Sequence, residues 1–365
     1  MNARLRLMAD DLSGALDTIV GLRLPAMDWP AIVTWKIELE QCVAISTDTR
    51  DAAQEMAVAR CAKVAPWLLS AALPFKKIDS RLRGHVAAEL AVLRRAAPDL
   101  PIVVAPAAPR FGRIMRGGSL LVRTGPEAPW QAEPVDLAND LSRLGITASL
   151  RVPGDPVASG VGIWDAETDA DLDRIVEAHL GADEAVVWCG SSGLGAALGR
   201  QLGSLPWPSY TVSAPMLAIV GTRHPTMLAQ VERLRQTRPE MVSGSGARSV
   251  ARVAAALADG QSRLVVIDPG EGLGEGAAAA LIRRAIGTLL DGVRRPGSLF
   301  VSGGATLQAV AVHLGADAIA AEGQYAHGVP WGRLRGGRWD GLPVVSKSGG
   351  FGDEGLLAEL CDDRY

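Results

Sequence analysis

The sequence predicts an α/β protein of two domains, each a mostly parallel sheet flanked by helices. Short apolar runs alternate with amphipathic helical stretches along the chain, the pattern of repeated βαβ units. Its 365 residues exceed the roughly 100–200 usual for one domain. The segment Gly203–Pro215, with three Pro, three Ser and one Gly, breaks the alternation and reads as a linker. The expected organisation is a first domain over 1–205, a linker over 206–215 and a second domain over 216–365.

In the first domain the apolar runs predict strands at Leu5–Ala9, Ala31–Trp35, Cys42–Ser46, Pro74–Ile78, Ile102–Ala105 and Ala185–Cys189. Helices are expected at Gly14–Leu22, Ala52–Ala65, Val86–Ala97, Leu172–Leu180 and Leu194–Leu202, the second ending where Pro66 removes a backbone donor. The second domain opens with a strand at Met216–Val220. It continues with Arg263–Ile267, a helix near Ala277–Leu290, a strand at Ser298–Val301, a helix near Leu307–Leu314 and a strand at Pro343–Val345. No internal repeat of fixed period is found. The Gly- and Trp-rich stretch Gly323–Gly355 has little helical period and is expected to be a binding loop or a lid.

Composition narrows the function. The formal charge is −3, from 37 Lys and Arg against 40 Asp and Glu, which leaves no basic surplus for nucleic acid or an anionic membrane. No uncharged apolar stretch reaches the ~18 residues of a membrane span, and the first residues do not read as a signal peptide. Four widely spaced Cys form no C-x-x-C pair, which argues against a disulfide framework and fits a reducing cytoplasm. Only five residues are Lys, so each merits separate inspection.

Asp10 and Asp11 follow the first strand in Met8-Ala9-Asp10-Asp11-Leu12-Ser13-Gly14-Ala15-Leu16-Asp17. Open α/β sheets bind ligands at the carboxyl ends of strands, where such carboxylates accept hydroxyl protons or hold a cation. The competing reading is a helix N-cap by Asp11 or Ser13, with Asp10 merely solvated. Phe75 to His85 gathers Lys76, Lys77, Arg81 and Arg83 before a helix and suits an anionic ligand, against the reading of a solvated turn. Pro106–Gly118 is a similar basic loop carrying Arg110, Arg113 and Arg116, although loops are commonly polar. In the second domain Gly221–Thr226, Ser302–Thr306 and Lys347–Gly352 are strand-to-helix turns, and small residues there let backbone N–H groups wrap phosphate oxygens. Each is weak alone; three in one half favour a nucleotide site. Gly272–Ala277 matches the dinucleotide fingerprint, but Asp291 precedes the next strand instead of ending it, so the match reads as accidental.

Taken together these segments resemble the four-carbon acid sugar kinase family. The family's A-D-D-x-T-G-A-x-D, K-x-D-S-T-L-R-G and A-P-A-x-P…G-R…G segments correspond to Ala9–Asp17, Lys77–Gly84 and Ala105–Gly118. Its G-S…T, S-G-G-x-T and K-S-G-x-F-G segments correspond to Gly221–Thr226, Ser302–Thr306 and Lys347–Gly352. Ser13 replaces Thr, Arg81 replaces Thr, His85 stands where Asn is common and Ala305 where Glu is frequent.

The resemblance implies a sugar-acid domain, an ATP domain and chemistry in the cleft between them. It further implies Asp10 or Asp11 as base or magnesium-linked carboxylate, with Lys77 also catalytic. Ser13, Asp79, Arg83, Gly84 and Arg113 are then substrate-binding, Arg83 anchoring the carboxylate. Thr222, Gly303, Gly304, Ala305, Thr306 and Gly349 line the nucleotide. ATP and Mg2+ are the expected cofactors, with metal ligands left unassigned. A small sugar acid is the expected partner, and a homo-oligomer is compatible with the sequence. Two other readings compete. One is a sensor that binds without turnover, motivated by Arg81 and Ala305; the other is a nicotinamide-dependent oxidoreductase resting on Gly272–Ala277.

Overall fold

The computed structural model describes residues 5–25, 27, 30–36, 42–125, 127–157, 159–182, 185–208, 210–268, 270 and 275–361. The chain divides into two compact units, Met1–Pro206 and Trp207–Tyr365.

The first unit runs β1 (Leu5–Ala9), α1 (Leu12–Gly21), β2 (Ala31–Thr34), β3 (Ala44–Ser46), α2 (Gln54–Leu69), β4 (Leu73–Lys77), α3 (Val86–Ala96) and β5 (Ile102–Ala105). It continues with β6 (Arg113–Arg116), β7 (Ser119–Val122), β8 (Gln131–Ala132), α4 (Leu137–Arg143), β9 (Ala148–Arg151), β10 (Val161–Trp164), α5 (Asp169–Gly181), β11 (Val187–Gly190) and α6 (Ser192–Gln201). The main sheet has the order β2-β3-β1-β4-β11-β5-β10-β9, with every pair parallel. Its central strands are apolar and buried on both faces, as helix-covered parallel strands must be. Strands β6, β7 and β8 form a small separate antiparallel sheet.

Register decides where the site lies. Ala9 of β1 is level with Ser46 of β3 and Lys77 of β4, Lys77 with Gly190 of β11, and Gly190 with Ala105 of β5. The residues that follow these strands therefore share one carboxyl edge of the sheet.

The second unit runs β12 (Met216–Val220), α7 (Pro225–Thr237), β13 (Val242–Gly244), α8 (Ala247–Ala258), β14 (Arg263–Val266) and α9 (Glu275–Gly292). It closes with β15 (Ser298–Ser302), α10 (Gly304–His313), β16 (Ala318–Ala326), β17 (Val329–Arg335), β18 (Pro343–Lys347) and α11 (Leu356–Leu360). Strands β13-β14-β12-β15-β18 are parallel, and β17 and β16 extend them antiparallel. Val220, Ser302 and Lys347 lie in register, so the β12, β15 and β18 turns also share an edge. Met227, Leu234, Phe300, Trp331, Val345 and Leu360 pack in the core of this unit. Burying such a side chain stabilises the fold by about 1.5–3 kcal/mol.

Two expectations are corrected. Helix α2 continues through Pro66 to Leu69. The carbonyl deprived of its donor belongs to Ala62, an exposed residue on the solvent side of the helix, and buried Val64, Ala65 and Leu68 hold the last turn to the core. The stretch Gly323–Gly355 is largely sheet, because β16 and β17 pair as a hairpin that leads to β18. Two register shifts in that hairpin interrupt the alternation by which a strand is recognised. Within the basic loop Pro106–Gly118, β6 carries Arg113 and Arg116.

Candidate active site

In the first unit Asp10 and Asp11 leave β1 at the shared edge, and both are buried. Asp11 is the N-cap of α1: its Oδ1 accepts from the Gly14 amide at 3.0 Å and its Oδ2 from the Ser13 hydroxyl at 2.7 Å. The capping reading therefore holds for Asp11, and the solvated reading fails for Asp10. Between the two carboxylates lies Arg50, from the turn after β3. Its Nε donates to Asp10 Oδ2 at 2.8 Å, and its Nη2 donates to Asp10 Oδ1 at 2.9 Å and Asp11 Oδ1 at 2.8 Å. Nη1 lies 3.7 Å from Asp79 Oδ2. Gly84 fixes this turn from the other side, since its φ is +89° and a Cβ there would approach Arg50 Cα to 3.3 Å.

Electrostatics separates the two aspartates. Burial, opposed by Arg50 and reinforced by the Asp11 charge, leaves Asp10 above the usual carboxylate range. Burial also acts on Asp11, but Arg50, Lys77 and the Ser13 hydroxyl together hold it below that range. Asp10 is thus the better proton acceptor.

Lys77 is buried at the end of β4, and its Nζ donates to the Ile78 carbonyl at 2.8 Å. Its charge acts on Asp10, Asp11, Asp17 and Asp79. The adjacent Lys76 has a different role: its Nζ lies 2.7 Å from Glu89 Oε2, while Thr49 donates to Glu89 Oε1 at 2.6 Å. Both ions are almost inaccessible, so removing either partner alone would leave an uncompensated buried charge.

Asp79 lies beside them and is held well below the usual range despite its burial, by the Arg83 bonds and the Arg50 charge. Arg83 places its fork on that carboxylate, Nε to Oδ1 at 3.0 Å and Nη2 to Oδ2 at 2.7 Å, while its side chain is 59% exposed. Arg81 is engaged by Glu133, with Nε 2.9 Å from Oε1. Arg113, half-buried, donates to the Phe111 carbonyl, and among the described residues no carboxylate lies within ion-pair distance of it. Burial and the Arg81 and Arg83 charges pull its guanidinium below the ordinary value.

Thus Asp10, Asp11, Ser13, Lys77, Asp79, Arg83, Gly84 and Arg113 come together through direct bonds, close approaches or shared electrostatics. Arg50, Glu133 and Asp17 were missed. Asp17 on α1 is bonded by the Ser192 side chain at the start of α6, and burial raises its carboxyl to about 6. Arg50 and Ser192 both follow strands of this sheet, so examining every carboxyl end would have found them.

The second unit assembles its turns as closely. A Cβ on Gly349 would meet the Thr222 hydroxyl at 2.8 Å and His224 Cβ at 2.6 Å, and one on Gly303, at φ +108°, would meet the Thr306 hydroxyl at 3.1 Å. Gly304 and Ala305 open α10, whose N-cap has no side-chain bond. Thr222, Gly303, Thr306 and Gly349 therefore pack closely against one another, with Gly304 and Ala305 opening the adjoining helix. Residues 271–274 of the dinucleotide-like segment lie outside the described residues. Asp291 is engaged by His313 at 2.9 Å and Arg338 at 3.2 Å. Among the described residues no group of three His, Cys, Asp or Glu is gathered for a metal, and no helix is long and apolar enough to cross a membrane.

Comparison with known proteins matches both halves of the chain. Residues 5–142 match the model of a sugar-binding N-terminal domain, and residues 217–357 that of a nucleotide-binding C-terminal domain. The chain is 29% identical to a D-threonate kinase of Bordetella bronchiseptica, over 96% of this chain and 95% of that protein. It is 26% identical to a D-erythronate kinase of Heliobacterium modesticaldum, over 98% of each. Among solved structures, a Salmonella typhimurium LT2 protein provisionally described as a tRNA synthase superposes with a TM-score of 0.71 at 20% identity, covering 99% of each chain. A Haemophilus influenzae protein superposes with a TM-score of 0.66 at 18% identity, over 98% of this chain and 99% of that one. At such identities these two structures share the fold alone. With both domains matched in order and its relatives aligned end to end, the chain belongs to the four-carbon acid sugar kinase family.

Proposed function

We propose that this protein is an ATP-dependent kinase that phosphorylates a hydroxyl of a four-carbon sugar acid of the threonate, erythronate or 3-oxo-tetronate type. The observation that carries the reading is that Asp10 and Lys77 stand on neighbouring strand ends at one sheet edge, and that the Asp79 beside them is acted on by Lys77 and acts in turn on Arg113 of β6. The set joins a proton-accepting carboxylate, a buried ammonium and an arginine without a carboxylate partner among the described residues. Phosphoryl transfer asks for little more than positioning, charge stabilisation and a base for the attacking hydroxyl. Asp10 takes the proton from that hydroxyl. Lys77 has donors to spare for charge building on the transferring oxygens. Arg113 grips the sugar-acid carboxylate with its planar fork, while Arg83 orients Asp79.

The nucleotide-lining role falls to Thr222, Gly303, Gly304, Ala305, Thr306 and Gly349. Magnesium finds no three-residue ligand set among the described residues, so it is expected to travel on the phosphates of ATP. Arg81 is held by Glu133, so its presence gives no reason of its own to prefer a silent sensor. The protein is expected to act in the cytoplasm, and assembly as a homo-oligomer remains compatible with this role. Incubation with ATP, magnesium and a panel of four-carbon sugar acids should release ADP with one of them at least. Binding of ATP and an acid without ADP release from any member would replace the kinase by the sensor.

A further inference from the structure

Lys347 ends β18 and is completely buried, yet among the described residues no carboxylate lies within ion-pair distance of it. Its ammonium donates instead to three carbonyls of the following loop: Ser348 at 3.4 Å, Gly349 at 3.2 Å and Phe351 at 2.8 Å. A buried cation without a counter-charge is costly, and three carbonyl dipoles offset only part of that cost.

The geometry has a second consequence. A peptide unit is planar, with its C=O and N–H pointing in opposite directions. Carbonyls 348, 349 and 351 point in at Lys347, so the amides of Gly349, Gly350 and Gly352 point away from it. Among the described residues none of these three amides has a protein acceptor; the Phe351 amide alone closes the turn, on Ser348 at 3.3 Å. Free amides on the outer side of a loop wrapped round a positive centre are available to an anion. Its location follows from its neighbours. Gly349 lies against Thr222 and His224 at the start of α7, and the Lys347 carbonyl accepts from the Gly303 amide at 3.1 Å. Gln230 secures the far end by donating to the carbonyls of Phe351 at 3.2 Å and Asp353 at 2.6 Å.

We propose that Lys347 is a positioning residue that turns Ser348–Gly352 into a cradle for the nucleotide's phosphates, its ammonium drawing the carbonyls inward so that the amides face the anion. The inference rests on the nucleotide reading of this unit and adds to it the groups that would hold the phosphates. Burial lowers the ammonium to about 7, consistent with a site that awaits a negative charge.

The test is titration calorimetry of the full-length protein with adenosine, AMP, ADP and ATP, for wild type, K347M and K347R. Wild-type affinity should rise along that series. K347M should keep its adenosine affinity and lose the gain contributed by the phosphates, about tenfold or more at ATP, and K347R should fall between the two. Equal ATP affinity in wild type and K347M would overturn the proposal and leave the nucleotide reading standing, as would a loss shared equally by adenosine and ATP. A wild type that binds no nucleotide overturns both. If K347M does not fold, G350P decides, because proline deletes one outward amide and leaves Lys347 intact. Loss of the phosphate gain with adenosine retained supports the cradle, and unchanged ATP affinity removes it.

Discussion

Arg50 and Asp10 meet fork to fork, Nε to Oδ2 at 2.8 Å and Nη2 to Oδ1 at 2.9 Å, although the arginine is only 14% exposed and the aspartate 5%. The same guanidinium also reaches Asp11 and Asp79. One buried cation thus holds three carboxylates that arrive on two different strand ends, and it fixes the orientation of the Asp10 carboxylate.

The first prediction separates the two aspartates. Asp10→Asn keeps the shape and the fold but removes the base, so turnover should fall by about 10²- to 10⁴-fold with ATP affinity unchanged. Asp11→Ala should instead lower stability by ~1 kcal/mol through loss of the cap. Its effect on turnover should come through Arg50. Steady-state kinetics with thermal melts distinguish the two, and near-wild-type turnover in Asp10→Asn would remove Asp10 from the chemistry.

The second prediction concerns the carboxylate anchor. The family resemblance implies Arg83, but Arg83 already holds Asp79 with both fork nitrogens, whereas Arg113 has no such partner among the described residues. Arg113→Lys should raise KM for the sugar acid by about tenfold or more, since a point charge cannot reproduce the bidentate grip. Arg83→Lys should change it less, and KM for ATP should stay constant in both. A larger effect at Arg83 than at Arg113 would reverse the assignment.

How far the site was legible follows from the same residues. Parallel strands buried on both faces are written as short apolar runs, so β1, β5 and β12 could be located to the residue. Asp10, Lys77 and Arg113 stand within motifs that announce themselves by two adjacent acids, by scarce lysines or by a basic glycine loop. Arg50 follows Thr47-Asp48-Thr49, which has no glycine and no repeated charge. Its role exists because β3 lies beside β1 in the sheet, and strand order is not a local property. The β16–β17 hairpin escaped for another reason: glycines at 323, 328 and 332 and two register shifts dilute its alternation.

A third prediction tests Asp17. Burial raises its carboxyl from 3.8 to about 6. Between those values the folded state binds a proton that the unfolded state has released. The stabilisation is therefore complete below about pH 3.8 and is lost as pH rises through 6. Asp17→Asn stays neutral throughout and can keep the bond to Ser192. The variant should melt higher than wild type at pH 7.5, and the difference should shrink or vanish at pH 4.5. A pH-independent difference would mean that Asp17 is ionised throughout, held by Lys77.

The last prediction isolates Gly84. Its φ of +89° lies where an L side chain is strained, and an added Cβ would stand 3.3 Å from Arg50 Cα and 3.4 Å from the Arg50 carbonyl oxygen. Those neighbours are backbone and cannot rotate aside, so Gly84→Ala must displace the turn that carries Arg50. Gly117 provides the control: its φ is +58° and nothing lies within 4 Å of its Cβ position. Both alanine variants should lose about 1–2 kcal/mol from the left-handed backbone conformation. Only Gly84→Ala should also lose turnover, because Arg50 would no longer meet Asp10 squarely, and its KM for ATP should not move. The comparison therefore needs melts and kcat for both variants. If they match in kcat as well as in stability, Gly84 is a turn residue without bearing on the Arg50–Asp10 pair.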